Sequence, residues 1–239
     1  EDLILVVLLP KGDGGTRPIG LLPLLPRLWM RARAHVARKW EADNALPCLF
    51  GGQGMGAQKA AWMSAFKCEM AMLMNEDRVQ VLLDLTKAFE TVPHARLIAA
   101  AKRHGYNLAL LRLSLATYRL ARTVGLDGAQ SPPVRASRGI TAGSGFATTE
   151  LRVLMVELLL IVLDEWGSEL GLTLYVDDLT VEATGSPTEA AAKCAAAVNF
   201  IIDKLEGDLG FTVSEKKSMV CASDPLLAVT VAEGVTSGK

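Results

Sequence analysis

Aromatic residues make up only 5% of this 239-residue chain, and net charge is almost absent: 25 Lys and Arg face 26 Asp and Glu, for a formal charge of -1. Cysteine is scarce as well. Cys48, Cys68, Cys194 and Cys221 show no paired spacing, which excludes a disulfide framework and a zinc knuckle and points to a reducing compartment. Long hydrophobic runs are missing. Leu3 to Leu9 is too short to span a bilayer and has no basic leader, and Leu151 to Leu163 carries Arg152 and Glu157. There is no internal repeat or low-complexity tract. What is present is apolar content: 50% of the residues are hydrophobic, enough for a sizeable core and too many for general disorder. The balanced charge by itself argues against a nucleic-acid partner. Its distribution argues otherwise. From Lys11 to Lys39 the basic residues are Lys11, Arg17, Arg27, Arg31, Arg33, Arg38 and Lys39, and the acid is Asp13. Such a block meets phosphate through local charge, whatever the chain total. The start at Glu1, inside an apolar run, reads as a piece of a longer chain.

Patterning gives a mixed α+β chain. Leu3 to Leu9 reads as a buried strand ended by Pro10, followed by the turn-rich Lys11-Gly12-Asp13-Gly14-Gly15-Thr16-Arg17-Pro18-Ile19. A helix runs from about Pro26 to Trp40. After the Gly-rich Phe50 to Gly56, a helix to about Met74 carries Trp62, Phe66 and Met70 at spacings of four, a core stripe. Val79 to Leu85 is a β-branched, apolar central strand. Pro93 opens a helix that Gly105 stops, and Leu108 to Ala121 forms another. Asp127-Gly128 tips a hairpin between Thr123–Leu126 and Val134–Ser137. The flexible Gly139 to Gly145 leads into an apolar helix to about Trp166. Leu172 to Val176 and Leu179 to Ala183 are strands broken by Asp177-Asp178. Ser186-Pro187-Thr188-Glu189 is a capping box opening a helix to about Leu205. Phe211–Val213, Met219–Ala222 and Ala228–Val231 read as closing strands. This order suits an antiparallel sheet backed by helices on one face.

Three acids carry the chemistry. Asp84 ends the apolar strand Val81-Leu82-Leu83, and Asp177 and Asp178 interrupt Leu174-Tyr175-Val176 and Leu179. A buried ionised carboxylate is costly unless it is paired or holds a metal. Neighbouring strand residues point to opposite faces, so a tight turn is what lets both Asp177 and Asp178 approach one site. An Asp-Asp pair alone is an ordinary hairpin tip. With Asp84 added, it becomes an oxygen-rich cage for two divalent cations, which at about 4 Å separation activate an attacking hydroxyl and stabilise a leaving pyrophosphate.

Tyr175-Val176-Asp177-Asp178 resembles the tyrosine–any–Asp–Asp signature of reverse transcriptases. Asp84-Leu85-Thr86-Lys87-Ala88-Phe89 with Val92-Pro93-His94 is similar to the first-aspartate motif of non-LTR retrotransposon and group II intron enzymes. Leu9-Pro10-Lys11 with Arg17-Pro18-Ile19 resembles their fingers motif, and Leu209-Gly210-Phe211 with Lys217-Ser218 a later one. Phe50-Gly51-Gly52 sits where they carry a Phe-Gly-Phe-Arg-like loop. The matches occur in family order from about residue 5 to 220.

The resemblance implies a right-hand polymerase, with residues 1–78 as fingers interleaved into a palm over 79–239. It implies an RNA-directed DNA polymerase from a mobile retroelement, adding dNTPs to a DNA or RNA primer on an RNA template. Asp84 and Asp177 would be the main ligands of two Mg²⁺, with Asp178 supporting or coordinating and Mn²⁺ as the alternative ion. Phe89 would be the steric gate against a 2′-hydroxyl, and Tyr175 would pack near the primer terminus. Lys11 and Arg17 would grip the triphosphate, Lys217 would approach the leaving pyrophosphate, and Gly139 and Gly143 would shape the loop near template and nucleotide. An intracellular location follows, nuclear for a eukaryotic element, with no membrane partner; the oligomeric state is unspecified. Three positions depart from the family pattern: Ala142 replaces a Gln, Glu90 an Asp, and Gln53 a basic residue. These keep two alternatives open, an RNA-dependent RNA polymerase, which Phe89 opposes, and an inactive relic that only binds nucleic acid. No thumb segment is recognisable after about residue 232, so poor processivity is expected.

Overall fold

The computed structural model describes all residues except 1, 2, 13, 53, 127 and 236–239. Gln53 and Asp127, one half of the expected hairpin tip, therefore lie outside the described residues, as does Asp13. In chain order the elements are β1 (Leu3–Pro10), β2 (Thr16–Leu21), α1 (Leu24–Asp43), α2 (Ala57–Met74), β3 (Asp77–Leu83), α3 (Ala88–Thr91), α4 (His94–Arg103) and α5 (Leu108–Tyr118). Then follow β4 (Ala121–Leu126), β5 (Ala129–Gln130), β6 (Val134–Arg135), α6 (Ala147–Trp166), β7 (Gly171–Tyr175), β8 (Asp178–Gly185), α7 (Pro187–Asp203), β9 (Met219–Ala222) and α8 (Pro225–Gly234). Contacts divide the chain into two units, residues 1–44 with 89–154 and residues 45–88 with 155–239. No helix among the described residues is long and apolar enough to cross a membrane.

The first unit holds a sheet in which β1 pairs antiparallel with β2 and parallel with β4, and β5 and β6 both pair with β4. The apolar run of β1 is not the buried strand its composition suggests: Ile4 is fully covered, whereas Leu3 and Leu9 are exposed. Pro18 is tolerated in β2 because that strand is the sheet's edge. The N-terminus of α5 is capped by Asn107, whose side chain accepts from the Leu110 N–H at 2.9 Å. Inside the unit, the Tyr118 hydroxyl donates to Glu150 at 2.6 Å and lies 2.8 Å from the Ser144 hydroxyl, so a fully buried carboxyl is tied to the end of the 139–145 loop.

The second unit is an antiparallel sheet in the order β7-β8-β3-β9. Its two faces differ because side chains alternate along each strand. Val79, Val81 and Leu83 of β3 lie opposite Ala183, Val181 and Leu179 of β8, and all six are buried. The α7 helix packs on β3 and β8 with a stripe of small and aliphatic residues, including Ala190, Cys194, Ala197 and Ile201. Its N-terminus is the expected capping box, with Ser186 and Glu189 bonded reciprocally and Pro187 in the first turn.

On the other face, Gln80 lies opposite Glu182, and α2 meets this face through polar groups. Buried Glu182 pairs with Lys67 and with Arg78, and Arg78 also donates to the Ser64 hydroxyl at 3.1 Å. This corrects the reading of α2. Trp62 and Phe66 are not core but 76% and 55% exposed, because the helix turns Ser64 and Lys67 toward the sheet. The closing segment also differs: residues 228–231 are helical, within α8. Pro225 occupies the first turn and the Asp224 side chain accepts from the Leu226 and Leu227 N–H groups, a local start signal that outweighs the β-branched Val229 and Val231. Residues 211–213 contribute a single bridge, Leu85 to Val213, rather than a strand.

Burial pushes the Glu150 carboxyl up to about 7, partly offset by the hydroxyls that face it. A raised carboxyl favours the neutral form in the fold, so its stabilisation is complete below the ordinary value near 4.5 and is lost as pH rises through about 7. The loss is on the order of 3 kcal/mol, because each tenfold change in proton affinity is worth about 1.4 kcal/mol. Urea denaturation of the wild type at pH 5 and pH 8 should show this loss, and Glu150→Gln should flatten it. Parallel pH profiles for the two proteins would refute the assignment.

Candidate active site

The β3–β8 ladder ends with Leu83 opposite Leu179, so the next pair in the same register is Asp84 opposite Asp178. Two apolar strands thus deliver two carboxylates to one end of the sheet. Asp178 is also the closing residue of the β7–β8 hairpin, opposite Tyr175, which leaves Val176 and Asp177 as its two-residue turn. Val176 has φ of 62°, in the left-handed region that a β-branched residue rarely enters. A positive φ at the first turn position alone is the sign pattern of a type II′ hairpin, a turn that normally places Gly there. Val176 therefore holds strain of roughly 1–3 kcal/mol, which persists only where surrounding structure fixes the turn.

The segment Cys48–Gly51 supplies part of that support. The Leu174 N–H donates to the Cys48 carbonyl at 2.7 Å and the Phe50 N–H donates to the Leu174 carbonyl at 2.9 Å, so this segment pairs along β7. A Cβ on Gly51 would sit 3.2 Å from the Val176 nitrogen. The Phe50-Gly51-Gly52 loop is thus a strap beside the acidic hairpin.

A second clasp holds Asp84. Its N–H donates to the Ser218 hydroxyl at 3.1 Å, and its carbonyl accepts from the Ser214 N–H at 2.8 Å. Lys217 lies 3.5 Å from Asp84 Oδ2, an ionic contact at the limit of the range, with the lysine side chain 63% exposed. That buried Oδ2 makes no hydrogen bond. Burial first, and then the charge of Asp84, push the Asp178 carboxyl up although its outer side is exposed. A carboxylate oxygen with no hydrogen bond, met by an exposed lysine at 3.5 Å, and two mutually repelling carboxylates form a donor set suited to a divalent cation. Among the described residues, no three His, Cys, Asp or Glu side chains group as a ready-made metal centre. The arrangement is a pair of opposed acids with Asp177 in the adjoining turn, and Mg²⁺ sites of this kind draw further ligands from substrate phosphates.

The remaining candidates lie in the first unit. Lys11 and Arg17 are exposed on the β1–β2 hairpin, where Arg17 pairs with Leu9 and the Lys11 N–H donates to the Gly15 carbonyl at 2.8 Å. Phe89 is half-buried in α3, and its carbonyl accepts from the Ile140 N–H at 2.7 Å. Gly139 and Gly143 have φ of 94° and 109°. A Cβ at Gly139 would meet the Glu90 carbonyl at 2.7 Å and one at Gly143 the Gly20 carbonyl at 2.5 Å, so each glycine serves a close approach within the protein itself. Buried His94 contacts the Gly139 carbonyl through Nε2 at 2.8 Å and accepts from Arg119 at Nδ1, which fixes the neutral tautomer with its proton on Nε2. Burial, with the Arg119 and Arg122 charges, lowers its pKa. Sequence reasoning missed His94, Ser218 and Gly51 as positioning groups. The Val-Pro-His, Lys-Ser and Phe-Gly-Gly strings that contain them were visible, but not what they bond or approach.

Carboxylates opposed at the end of an antiparallel palm sheet, in a chain that also carries a second unit of sheet and helices, define a right-hand polymerase fold. Sequence comparison agrees: the family described as reverse transcriptase (RNA-dependent DNA polymerase) matches residues 9–231. The chain belongs to the reverse transcriptase family, a class of nucleotidyltransferases. No curated protein sequence matches it. Among solved structures, telomerase from Candida tropicalis in complex with a TWJ fragment of telomeric RNA is similar at a TM-score of 0.68 and 13% identity, over 94% of this chain and 41% of that one. Apo telomerase from Candida tropicalis, truncated of its C-terminal domain, gives 0.63 and 13% over 93% and 50%. Telomerase from Candida albicans, also with a TWJ fragment of telomeric RNA, gives 0.61 and 12% over 92% and 42%. At these identities the likeness is one of fold. The chain spans half or less of the length of these telomerase chains.

Removing one of the opposed charges should stabilise the metal-free protein. Asp178→Asn in EDTA at pH 7.5 is expected to raise Tm by about 1–2 °C, since like charges across strands cost a few tenths of a kcal/mol when partly exposed. A fall in Tm would show that Asp178 is held by stabilising partners instead.

Proposed function

We propose that this chain is the fingers-palm part of a reverse transcriptase from a mobile retroelement of the non-LTR or group II intron kind. The fingers correspond to residues 1–78, interleaved into a palm over 79–239. The observation that carries the reading is the Asp84–Asp178 opposition next to the strained Val176–Asp177 turn. In the proposed reaction the primer 3′-oxygen attacks the α-phosphorus of a dNTP. The new P–O bond forms as the bond to the β-phosphate oxygen breaks and pyrophosphate leaves.

Asp84 and Asp177, with Asp178 supporting, would hold two Mg²⁺, which would supply charge stabilisation for the attacking and leaving oxygens. Ser218 and Ser214 keep Asp84 in place through its backbone, so the carboxylate needs little reorganisation. Lys217, which contacts Asp84 in this state, would release it and turn to the pyrophosphate. Tyr175, at the base of the hairpin, would pack against the primer terminus. Phe89 would exclude a 2′-hydroxyl, Lys11 and Arg17 would hold the triphosphate, and the Gly143 loop would face the templating pair. These last roles rest on the family motifs.

The test is extension of a labelled primer on an RNA template by the purified chain with dNTPs and Mg²⁺. Asp84→Asn should lower extension by at least about a thousandfold. Phe89→Ala should raise use of rNTPs relative to dNTPs by about ten- to a hundredfold. Undiminished extension by Asp84→Asn would reject the metal assignment. Equal use of rNTPs by the wild type would favour an RNA polymerase. RNA binding without any extension would favour the relic.

A further inference from the structure

The α2 helix carries its polarity the wrong way round for a surface element. Ser64 and Lys67 face the sheet, while Trp62, Phe66 and Leu73 are exposed, Leu73 to 81%. Met63 and Met72 flank them, and Met72 is 75% exposed. A helix with apolar residues on its solvent side as well is one that something else covers, and contiguous apolar patches mark interaction sites. The outward charges of α2 are Lys59 and Glu69, which cancel. The face therefore offers no basic field to a nucleic-acid backbone or to anionic lipid.

The outward residues follow a regular order. From Met55, just before the helix, they run Met55, Lys59, Trp62, Phe66, Glu69 and Leu73, in steps of four, three, four, three and four. Lys59 Nζ lies 3.2 Å from Met55 Sδ, so the line continues across the helix start. Steps of three and four make a single seam along a helix. This series of steps reads the same in both directions, and the positions it relates are chemically matched. Trp62 answers Phe66, Lys59 answers Glu69, and Met55 answers Leu73. A seam of this kind is its own complement under a two-fold axis, because residue i of one copy meets residue j of the other and j meets i. Neither Lys59 nor Glu69 makes an ion pair among the described residues.

We propose that α2 is a dimerisation helix, pairing antiparallel with α2 of a second copy of this chain about a two-fold axis midway between Trp62 and Phe66. Each Trp62 packs on Phe66 of the other copy, and each Lys59 meets Glu69 of the other copy, so every contact is made twice. The area is sufficient. An aromatic side chain buries about 150–250 Å², so the exposed parts of Trp62 and Phe66 supply on the order of 500 Å² over both copies. Leu73, Met63 and Met72 raise this toward the roughly 1,200–2,000 Å² that a stable interface buries. The pairing is independent of the catalytic reading.

The experiment is sedimentation velocity of the full chain across the micromolar range, with a reductant present because Cys68 and Cys221 are exposed thiols. The wild type should show a concentration-dependent dimer. Trp62→Ala/Phe66→Ala should weaken it by at least about a hundredfold, since buried aromatics dominate interface energetics. Lys59→Glu and Glu69→Lys each set like charges against one another and should each weaken the dimer by about tenfold. Lys59→Glu/Glu69→Lys should return it to within about threefold of the wild type. All four variants alter exposed side chains, and circular dichroism confirms that the fold is kept. A wild type that stays monomeric overturns the proposal, as does a dimer that Trp62→Ala/Phe66→Ala leaves intact. A charge-swapped protein no tighter than the single reversals overturns the antiparallel pairing and the proposal with it. Monomeric wild type whose affinity for a labelled RNA decamer falls in Trp62→Ala/Phe66→Ala also overturns it and assigns the face to nucleic acid.

Discussion

The pairing of β3 with β8 sets nearly everything in the second unit. Seven residue pairs run from Asp77–Gly185 to Leu83–Leu179, and the register assigns each position to one of two chemically different faces. A slip of one residue would turn Val79, Val81 and Leu83 out of the core and bring Arg78 and Gln80 in. The same register carries Asp84 to its place opposite Asp178, so core packing and the acidic site are specified together. Glu182 helps to lock it. That carboxylate is buried in the polar face, and its desolvation is offset only where Arg78 and Lys67 both reach it. Gly171 stands opposite Glu182 because any side chain there would overlap the carboxylate.

Support for the acids is therefore layered. Apolar strands fix their height, Ser218 and Ser214 hold the Asp84 backbone, and the Cys48–Gly51 strap lies along the hairpin that bears Asp177. None of these groups carries the chemistry, yet each limits where a carboxylate oxygen can go. The strain at Val176 belongs to this scheme: a turn that glycine would adopt freely is instead imposed on a β-branched residue by its neighbours.

Much of this was legible in the sequence, and the failures have physical causes. The capping box at Ser186, the central strand at Val79 and the Asp-Asp turn were readable because each depends on local chemistry or strict alternation. The orientation of α2 was not. Spacing shows that Trp62 and Phe66 share a helix face, but only the location of Glu182, more than a hundred residues later, decides that Lys67 and Ser64 face inward. The helical ending at Pro225 was lost to the β-branched character of Val229 and Val231. Its start signal, Asp224-Pro225, was in plain view. The motif residues were found by type, whereas their holders, Ser218, Gly51 and His94, became visible only as hydrogen bonds and close approaches.

The division of the chain carries one more consequence. Each unit is assembled from two separated stretches, so neither corresponds to a continuous segment that could be excised. As the chain leaves the ribosome, β3 emerges early, but its central partner β8 begins only at Asp178. At about 5–20 residues per second, β3 waits on the order of 5–20 s with its hydrogen-bonding edges open. Such a strand, rich in valine and leucine, is vulnerable to pairing with another nascent chain. Folding of this chain is thus a kinetic contest, decided during synthesis, between a late intramolecular partner and an early intermolecular one.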